Sequence, residues 1–113
     1  MKYIFIIQGE GRGHLTQAIS MHDLLTRNGH EITEVLVGKN KTTILPDFFS
    51  EKMKSCPISV FESPCFLFSS KNKKSLFFGS IFHNLLKLHV YLKNVLFINR
   101  QIRKSNADVV VNF

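Results

Sequence analysis

The order of apolar and polar positions predicts strands and helices that alternate along the chain. Residues 3–8 form a short β-branched and aromatic run that ends at glycine, which is typical of a buried strand. Apolar spacing then predicts a helix, whose inner face carries Leu15, Ala18, Ile19, His22 and Leu25. Asn28-Gly29 should end that helix, because a glycine just past the last turn adopts the left-handed conformation. With a second strand over residues 31–37, the pattern predicts a βαβ unit with a right-handed crossover.

The second half of the chain contains shorter apolar runs and one long stripe. Residues 46–54 predict a short helix with Pro46 in its first turn, and residues 58–61 and 65–68 predict short strands. Residues 79–104 predict one long helix, and its apolar face carries Ile81, Leu85, Leu88, Leu92, Val95 and Ile102. Residues 108–113, which read DVVVNF, predict a final buried strand.

These elements predict an α/β fold, a Rossmann-like three-layer sandwich with a mainly parallel sheet. A chain of 113 residues suits a single domain, so we assign residues 1–113 to one unit. Parallel strands need cover on both faces, yet the chain stops inside its last predicted strand. We therefore expect an incomplete domain, truncated at its C-terminal strand, that is either a fragment or one half of a two-part protein.

Charge is distributed unevenly along the chain, whose formal net charge is +7. Five basic residues are matched by five acidic ones in residues 1–50, whereas residues 71–104 hold eight basic residues and no acidic one. We predict a membrane or partner surface on the long helix at Lys87, Lys93, Arg100 and Arg103. The alternatives are a solvated helix face, contact with a missing domain, and nucleic acid, which the lack of an aromatic and basic recognition motif disfavours.

Cysteine content and the N-terminal segment indicate a compartment. Cys56 and Cys65 are the two cysteines, too few for a disulfide scaffold or a metal cage, so we expect no metal and a reducing cytoplasm. The apolar run at the start is too short for an export signal. Residues 76–98 carry too many polar groups for a membrane span. We therefore expect a cytoplasmic protein, associated with the inner face of the membrane if the basic helix docks there.

A glycine-rich turn lies between the first strand and the first helix, at Gly9-Glu10-Gly11-Arg12-Gly13. Such a turn lets a ligand approach the backbone and the N–H groups of a helix end. A dinucleotide site is disfavoured, because His14 stands where the third glycine of that fingerprint belongs and the second strand ends without an acid. A P-loop is excluded, because no Gly-Lys-Ser/Thr sequence follows the turn.

His14 is the first candidate for chemistry, since it follows this turn at the start of the helix. A neutral imidazole beside a ligand cleft can accept a proton from a hydroxyl group. The alternative is a histidine that caps or packs the helix. The glycine turn at the end of a strand favours the catalytic interpretation.

A family resemblance is carried by residues 8–19, which read QGEGRGHLTQAI, and by the later Leu24-Leu25 and Gly29-His30-Glu31. This pattern is similar to the opening of GT-B glycosyltransferases, in the peptidoglycan GlcNAc-transferase and UDP-glycosyltransferase branches. In those proteins a glycine-rich turn ends in Gly-His before the first helix. The resemblance is fairly specific over residues 1–38 and returns at residues 107–113.

The resemblance implies the N-terminal, acceptor-binding half of a GT-B fold, with a second domain that binds the nucleotide-sugar. His14 matches the general base, and Asn112 stands where several members have the aspartate that orients this histidine. An amide oxygen can accept the imidazole N–H, but it cannot stabilise an imidazolium as a carboxylate does. The residues implied in substrate binding are Gly9, Gly11, Arg12, Gly13 and Thr16.

The implied reaction is transfer of a hexose from a nucleotide-sugar to an acceptor hydroxyl, with no cofactor and no metal. The implied partners are that donor, a hydroxyl acceptor that relatives often receive on a lipid carrier, and a donor-binding domain or subunit. This chain alone should therefore transfer nothing. The alternatives are an acceptor-binding, membrane-recruiting subunit of a two-part transferase, and a basic nucleic-acid-binding or nucleotide-binding module. An exposed edge at residues 108–113 could also pair two copies of the fragment into a homodimer.

Overall fold

The computed structural model describes residues 1–64 and 77–113. Within these ranges four strands and four helices follow one another. In chain order they are β1 (Lys2–Gln8), α1 (Arg12–Arg27), β2 (Glu31–Lys39), α2 (Asp47–Lys52), β3 (Ile58–Glu62), α3 (Phe77–Leu86), α4 (Leu88–Ser105) and β4 (Val109–Asn112). The strands predicted at 3–8, 31–37, 58–61 and 108–113 are confirmed, as are the helices predicted around α1 and α2. The prediction that the last strand is buried is wrong, because β4 pairs with β1 alone at the edge of the described sheet and Val110 is 45% exposed. The strand predicted at 65–68 lies outside the described residues.

The four strands form one parallel sheet in the order β3-β2-β1-β4. Strand β1 is central, so that Ile6 pairs with Leu36 of β2 on one side and with Asn112 of β4 on the other. After β1 the chain adds β2 and then β3 outward on one side of β1. It then returns to the other side to add β4, and this change of direction makes a topological switch point between β1 and β4.

Helices cover both faces of this sheet, as an α/β sandwich requires. Helices α1 and α2 pack on one face, where the buried cluster includes Phe5, Val35 and Phe49. Because side chains alternate along a strand, Ile4 and Leu36 point to the opposite face, and both are fully buried. Helix α4 packs against β2 and β3. The fold is therefore α/β with an all-parallel sheet flanked by helices, consistent with a Rossmann-like sandwich.

Helix α1 ends as the sequence predicts, in a Schellman motif. Gly29 has φ of 76°, in the left-handed region. Its N–H donates to the carbonyl of Thr26 at 3.1 Å, and the His30 N–H donates to the carbonyl of Leu25 at 3.0 Å. These two bonds satisfy carbonyl groups of the last turn and direct the chain into β2.

The prediction of one long helix over 79–104 is wrong, because the chain breaks at Lys87 into α3 and α4. The Lys87 ammonium donates a hydrogen bond to the Glu62 carboxylate at the end of β3. The Asn94 side-chain amide donates to the backbone carbonyl of Glu62 at 2.5 Å. The apolar stripe runs through this point without proline, so periodicity alone gave no sign of the break. The break depends on contacts with a strand that lies 25 residues earlier.

Glu62 is the acidic centre of this junction, with only 12% of its side chain exposed. The hydrogen bond from Lys87 lowers the pKa of the Glu62 carboxyl below its ordinary value, although burial acts in the opposite direction. The positive charges of Lys87 and Lys41, and that of His83 when it is protonated, lower this pKa further. Lys41 Nζ lies 3.9 Å from Glu62 Oε2. The ion pair between Lys87 and Glu62 therefore connects the end of β3 to the start of α4.

Replacing Glu62 with glutamine (E62Q) should lower the free energy of unfolding at pH 7 by about 1 kcal/mol, the scale of a hydrogen bond to a charged group at a partly screened site. Because the pKa of Glu62 is lower in the folded state, its stabilising effect is present above the unfolded pKa and is lost as the pH falls through the folded pKa. Urea unfolding at several pH values between about 6 and 3 measures this effect.

We expect the difference between wild type and E62Q to shrink as the pH falls through that range. Glu51→Gln is the matched control, because Glu51 is exposed and forms no ion pair with any residue that the structure describes. A difference for E62Q that stays constant down to the acid end would contradict the assigned ion pair.

Candidate functional site

The carboxyl ends of the parallel strands lie on one edge of the sheet. The loops after β1, β2 and β3 begin there, at Gly9, Asn40 and Ser63, and the last residue of β4 reaches the same edge. In open α/β sheets, ligands bind outside this edge at the switch point. The switch point lies here between β1 and β4, so the turn after β1 and the end of β4 border the candidate site.

The glycines of the turn after β1 have three different environments. A Cβ atom on Gly9 would lie 2.8 Å from Val37 Cγ1 and 3.1 Å from the Gly38 carbonyl oxygen, and the Gly9 N–H donates to that oxygen at 2.7 Å. Gly11 has φ of 131°, which L side chains rarely adopt. A Cβ on Gly13 would meet open space. Close packing against β2 therefore requires glycine at position 9, and the backbone conformation favours glycine at position 11. Gly13 faces open space and is required by neither.

Glu10 holds the turn in place, a role that the sequence analysis did not identify. Its carboxylate accepts hydrogen bonds from the backbone N–H of Asn40 and from the hydroxyl of Thr43, the latter at 2.9 and 3.0 Å. The partner loop lies 30 or more residues away along the chain, so local spacing contained no signal for the contact. Glu10 thus ties the glycine turn to the loop between β2 and α2.

The N-terminus of α1 has a glycine, Gly11, at its N-cap position. None of the described residues forms a side-chain capping bond there, and the first turn contains no acidic residue. The hydroxyl of Thr16 donates back to the Arg12 carbonyl at 2.9 Å, within the helix. Uncapped N–H groups at the positive end of the helix dipole, beside the exposed cationic Arg12, favour an anionic group at this position.

A groove of about 760 Å³ runs from this helix end along the exposed side of α1. Its lining consists of Arg12, Gly13, Thr16, Gln17, Ser20, Met21, Leu24 and Phe113. The ring of Phe113 packs edge to face on the buried Phe5, with ring centroids 5.0 Å apart. Sequence reasoning placed three of the lining residues at a substrate site but missed Phe113, because only the pairing of β4 with β1 brings the end of the chain beside α1.

His14 is exposed on the first turn of α1, between the groove side and the buried side of the helix. Asn112 is exposed at the end of β4. Val111 and Phe113 pack toward the core under α1, so strand alternation directs Asn112 to the opposite face of the sheet. Within the described part of the chain, neither side chain forms a hydrogen bond or ion pair. The fold therefore brings both residues to the same edge but does not join them as a pair.

Two of the buried side chains that could take part in chemistry, His22 and Cys56, belong to the packing between α1 and the α2 region. His22 is 8% exposed, with Nδ1 lying 3.3 Å from Asp23 Oδ1 and Nε2 lying 3.5 Å from Ser55 Oγ. Burial raises the pKa of the Cys56 thiol, with a smaller opposing effect from the Ser55 hydrogen bond. A buried thiol that stays protonated is a packing group rather than a nucleophile.

Two features are absent from residues 1–64 and 77–113. No group of three or more His, Cys, Asp or Glu side chains in these ranges could hold a metal ion. Among the helices of the same ranges, none is both long and apolar enough to cross a membrane.

The basic residues that were predicted to form a surface on the long helix divide into two groups. Lys93, Arg100 and Arg103 are exposed along α4. The Lys87 side chain is only 27% exposed, and its ammonium points to Glu62. The structure therefore leaves three of the four on the surface and uses the fourth at the helix break.

The substitution Gly9→Ala should lower the free energy of unfolding by about 1–3 kcal/mol, because the new methyl group would overlap Val37 and the backbone of β2. Gly13→Ala is the matched control within the same turn. Its methyl group enters open space, and alanine favours the helix, so stability should stay equal or rise by up to about 1 kcal/mol. Chemical denaturation of both variants measures the difference, and equal losses would contradict the distinct roles of the two glycines.

The site is thus described by its own geometry: a glycine turn, an uncapped helix end and an adjoining groove at the switch point of a parallel sheet. Nothing matches this chain in comparisons with protein-family models, with curated proteins or with solved structures.

Proposed function

We propose that this chain is the acceptor-binding N-terminal part of a GT-B-type glycosyltransferase. One observation carries the proposal: the glycine turn leads into an uncapped helix at the switch point. The first turn of this helix presents an exposed histidine next to Gly13, which lines the groove, although His14 itself does not line it. The sequence resemblance over residues 1–38 supplies the reaction class. The donor nucleotide-sugar would be bound by a second domain or subunit, so this chain by itself would not complete the transfer.

In this proposal His14 is the general base. One ring nitrogen of the neutral imidazole takes the proton of the acceptor hydroxyl as its oxygen bonds to the anomeric carbon of the donor sugar. The bond between that carbon and the diphosphate oxygen breaks, and the nucleoside diphosphate leaves with the electron pair. The exposure of His14 supports this role, because the ring is open to an incoming hydroxyl. Asn112 is left out of the proton transfer, since it points to the other face of the sheet.

The groove along α1 is the proposed acceptor site. Met21, Leu24 and Phe113 give it apolar walls, while Thr16 and Ser20 supply hydroxyl groups. At the end of the groove nearest the N-terminus of α1, Arg12 and the uncapped N–H groups of the first turn favour a phosphate or another anion. This combination suits an acceptor that carries an anionic group beside a less polar body.

Replacing His14 with alanine should lower the turnover of the complete enzyme by roughly 10²- to 10⁴-fold, the usual contribution of a general base. Donor affinity should change by less than about twofold, since His14 is assigned to the acceptor. Sugar transfer is measured with this domain joined to its donor-binding partner. His30→Ala is the control and should retain turnover, because His30 lies at the opposite edge of the sheet, against Tyr3. Equal turnover in His14→Ala and wild type would remove the assignment.

The chain alone allows a second test, by NMR with candidate hydroxyl acceptors and nucleotide-sugars. Acceptors should shift the amide resonances of Gly13 and Thr16 and the ring resonances of His14, and leave those of His30 unchanged. Nucleotide-sugars should produce little change, because their binding is assigned to the missing domain. Strong shifts with free nucleotides and none with acceptors would favour a nucleotide-binding module instead.

A further inference from the structure

Helices α3 and α4 expose an unusual amount of apolar surface. Ten large apolar side chains on them are more than half exposed: Phe77, Phe78, Ile81, Phe82, Leu85, Leu86, Leu88, Leu92, Val95 and Leu96. Elsewhere in the described ranges only Met1, Leu24 and Ile44 reach that exposure. We call these ten residues the apolar face. Monomeric soluble proteins rarely expose contiguous apolar surfaces of this kind without an interaction partner.

The apolar face follows the geometry of the two helices. On α3 its residues recur in adjacent pairs every four positions, which places them on one side of the helix, while Ser80 on the other side is 2% exposed. On α4 they occupy the first half of the exposed side. An apolar groove of about 410 Å³ between the helices, bordered by Ile81, Leu85, Leu88 and Tyr91, joins the two parts. The apolar face is therefore one continuous surface.

Basic residues continue this surface toward the end of α4. Lys93, Arg100, Arg103 and Lys104 are exposed on the same side of the helix as Leu92 and Leu96. The sequence contains no acidic residue between Glu62 and Asp108. We call these four residues the basic strip. The exposed side of α3 and α4 thus changes from purely apolar to cationic along its length, with no negative charge to oppose an anionic partner.

Contacts with the sheet hold this surface outward. The Lys87 ammonium and the Asn94 amide both donate to Glu62, on the inner side of the helix break. Helix α4 packs against β2 and β3, although none of its residues is fully buried. The apolar face consequently points away from the sheet and remains available to a partner.

We propose that the apolar face and the basic strip together dock this protein on an anionic lipid bilayer. The apolar face enters the boundary between headgroups and acyl chains, and the basic strip contacts the lipid phosphates. Nucleic acid would use the basic strip but not ten exposed apolar side chains. The core of a protein interface would use the apolar face but is usually depleted of lysine. This docking does not depend on the sugar-transfer proposal and can be tested without any enzyme assay.

The main experiment is cosedimentation of the chain with vesicles of phosphatidylcholine containing about one third phosphatidylglycerol, compared with pure phosphatidylcholine. Binding to the anionic vesicles should be at least about tenfold stronger and should weaken as salt is raised, because headgroup attraction is screened. The double variant Arg100→Gln/Arg103→Gln should lose about tenfold or more on anionic vesicles. The matched control is Lys54→Gln, which removes an exposed charge outside the basic strip and should bind like wild type.

The apolar face is tested by the double variant Phe78→Gln/Phe82→Gln, whose two positions are 84% and 63% exposed, so the fold should tolerate both changes. Vesicle binding should fall by about tenfold or more at every salt concentration, since each removed ring no longer enters the bilayer. Ile44→Gln, at 89% exposure and outside the face, should change nothing. Circular dichroism of each variant checks that it is folded.

Insertion itself can be read from a single fluorophore, because the chain contains no tryptophan. The emission of Phe78→Trp should shift to shorter wavelength when anionic vesicles are added, whereas that of Ile44→Trp should not. Absence of binding to anionic vesicles at low salt overturns the proposal, as does binding that survives loss of both phenylalanines. Self-association through Phe78 and Phe82 without vesicle binding would assign the surface to a second copy of the chain instead.

Discussion

The structure depends on one constraint, which is that a parallel sheet must be covered on both faces while every strand edge inside it is bonded. Strand β1 is bonded on both sides, to β2 and to β4, and its side chains alternate between two buried faces. The crossover after β1 must place a helix on one face, and the later crossover to β4 leads through the helices that include α4 on the other. The glycine turn and the candidate groove lie where the first crossover leaves the sheet. The apolar face lies on α3 and α4, which belong to the later crossover.

At the carboxyl edge, this constraint explains why the turn after β1 differs from its neighbours. Gly9 lies so close to Val37 and Gly38 that the chain can leave β1 only along a tight path, and Gly11 then takes a conformation that most residues avoid. Glu10 fastens the same turn to the loop after β2. The helix that follows begins at the edge that holds the switch point, and no side chain in the described ranges caps its first N–H groups. The turn and the helix end at this place therefore form the candidate binding site.

The opposite layer solves a different problem, since α4 must cover β2 and β3 without burying a complete side of itself. Two polar contacts attach its first half: the Glu62 carboxylate accepts from Lys87, and the Glu62 carbonyl accepts from Asn94. Apolar residues such as Ile98 and Ile102 are partly buried, whereas the residues of the apolar face remain exposed. One side of α4 thus packs on the sheet, and the other side is exposed. The ion pair between Lys87 and Glu62 connects the sheet with the proposed docking surface.

The local pattern of the sequence was enough to determine β1, α1, β2 and the end of α1 at Gly29, because strand alternation, helical spacing and a glycine cap all act within a few residues. It also predicted a strand at residues 108–113 and His14 at the start of a helix, but it did not show that β4 would be a half-exposed edge strand. Tertiary structure alone decided the break at Lys87, the tie from Glu10 to Thr43, the place of Phe113 in the groove and the direction of Asn112. Each of these depends on residues that are 25 or more positions apart in the chain or on which strand β4 pairs with. Such contacts form only when the sheet assembles, so no short-range pattern contains them.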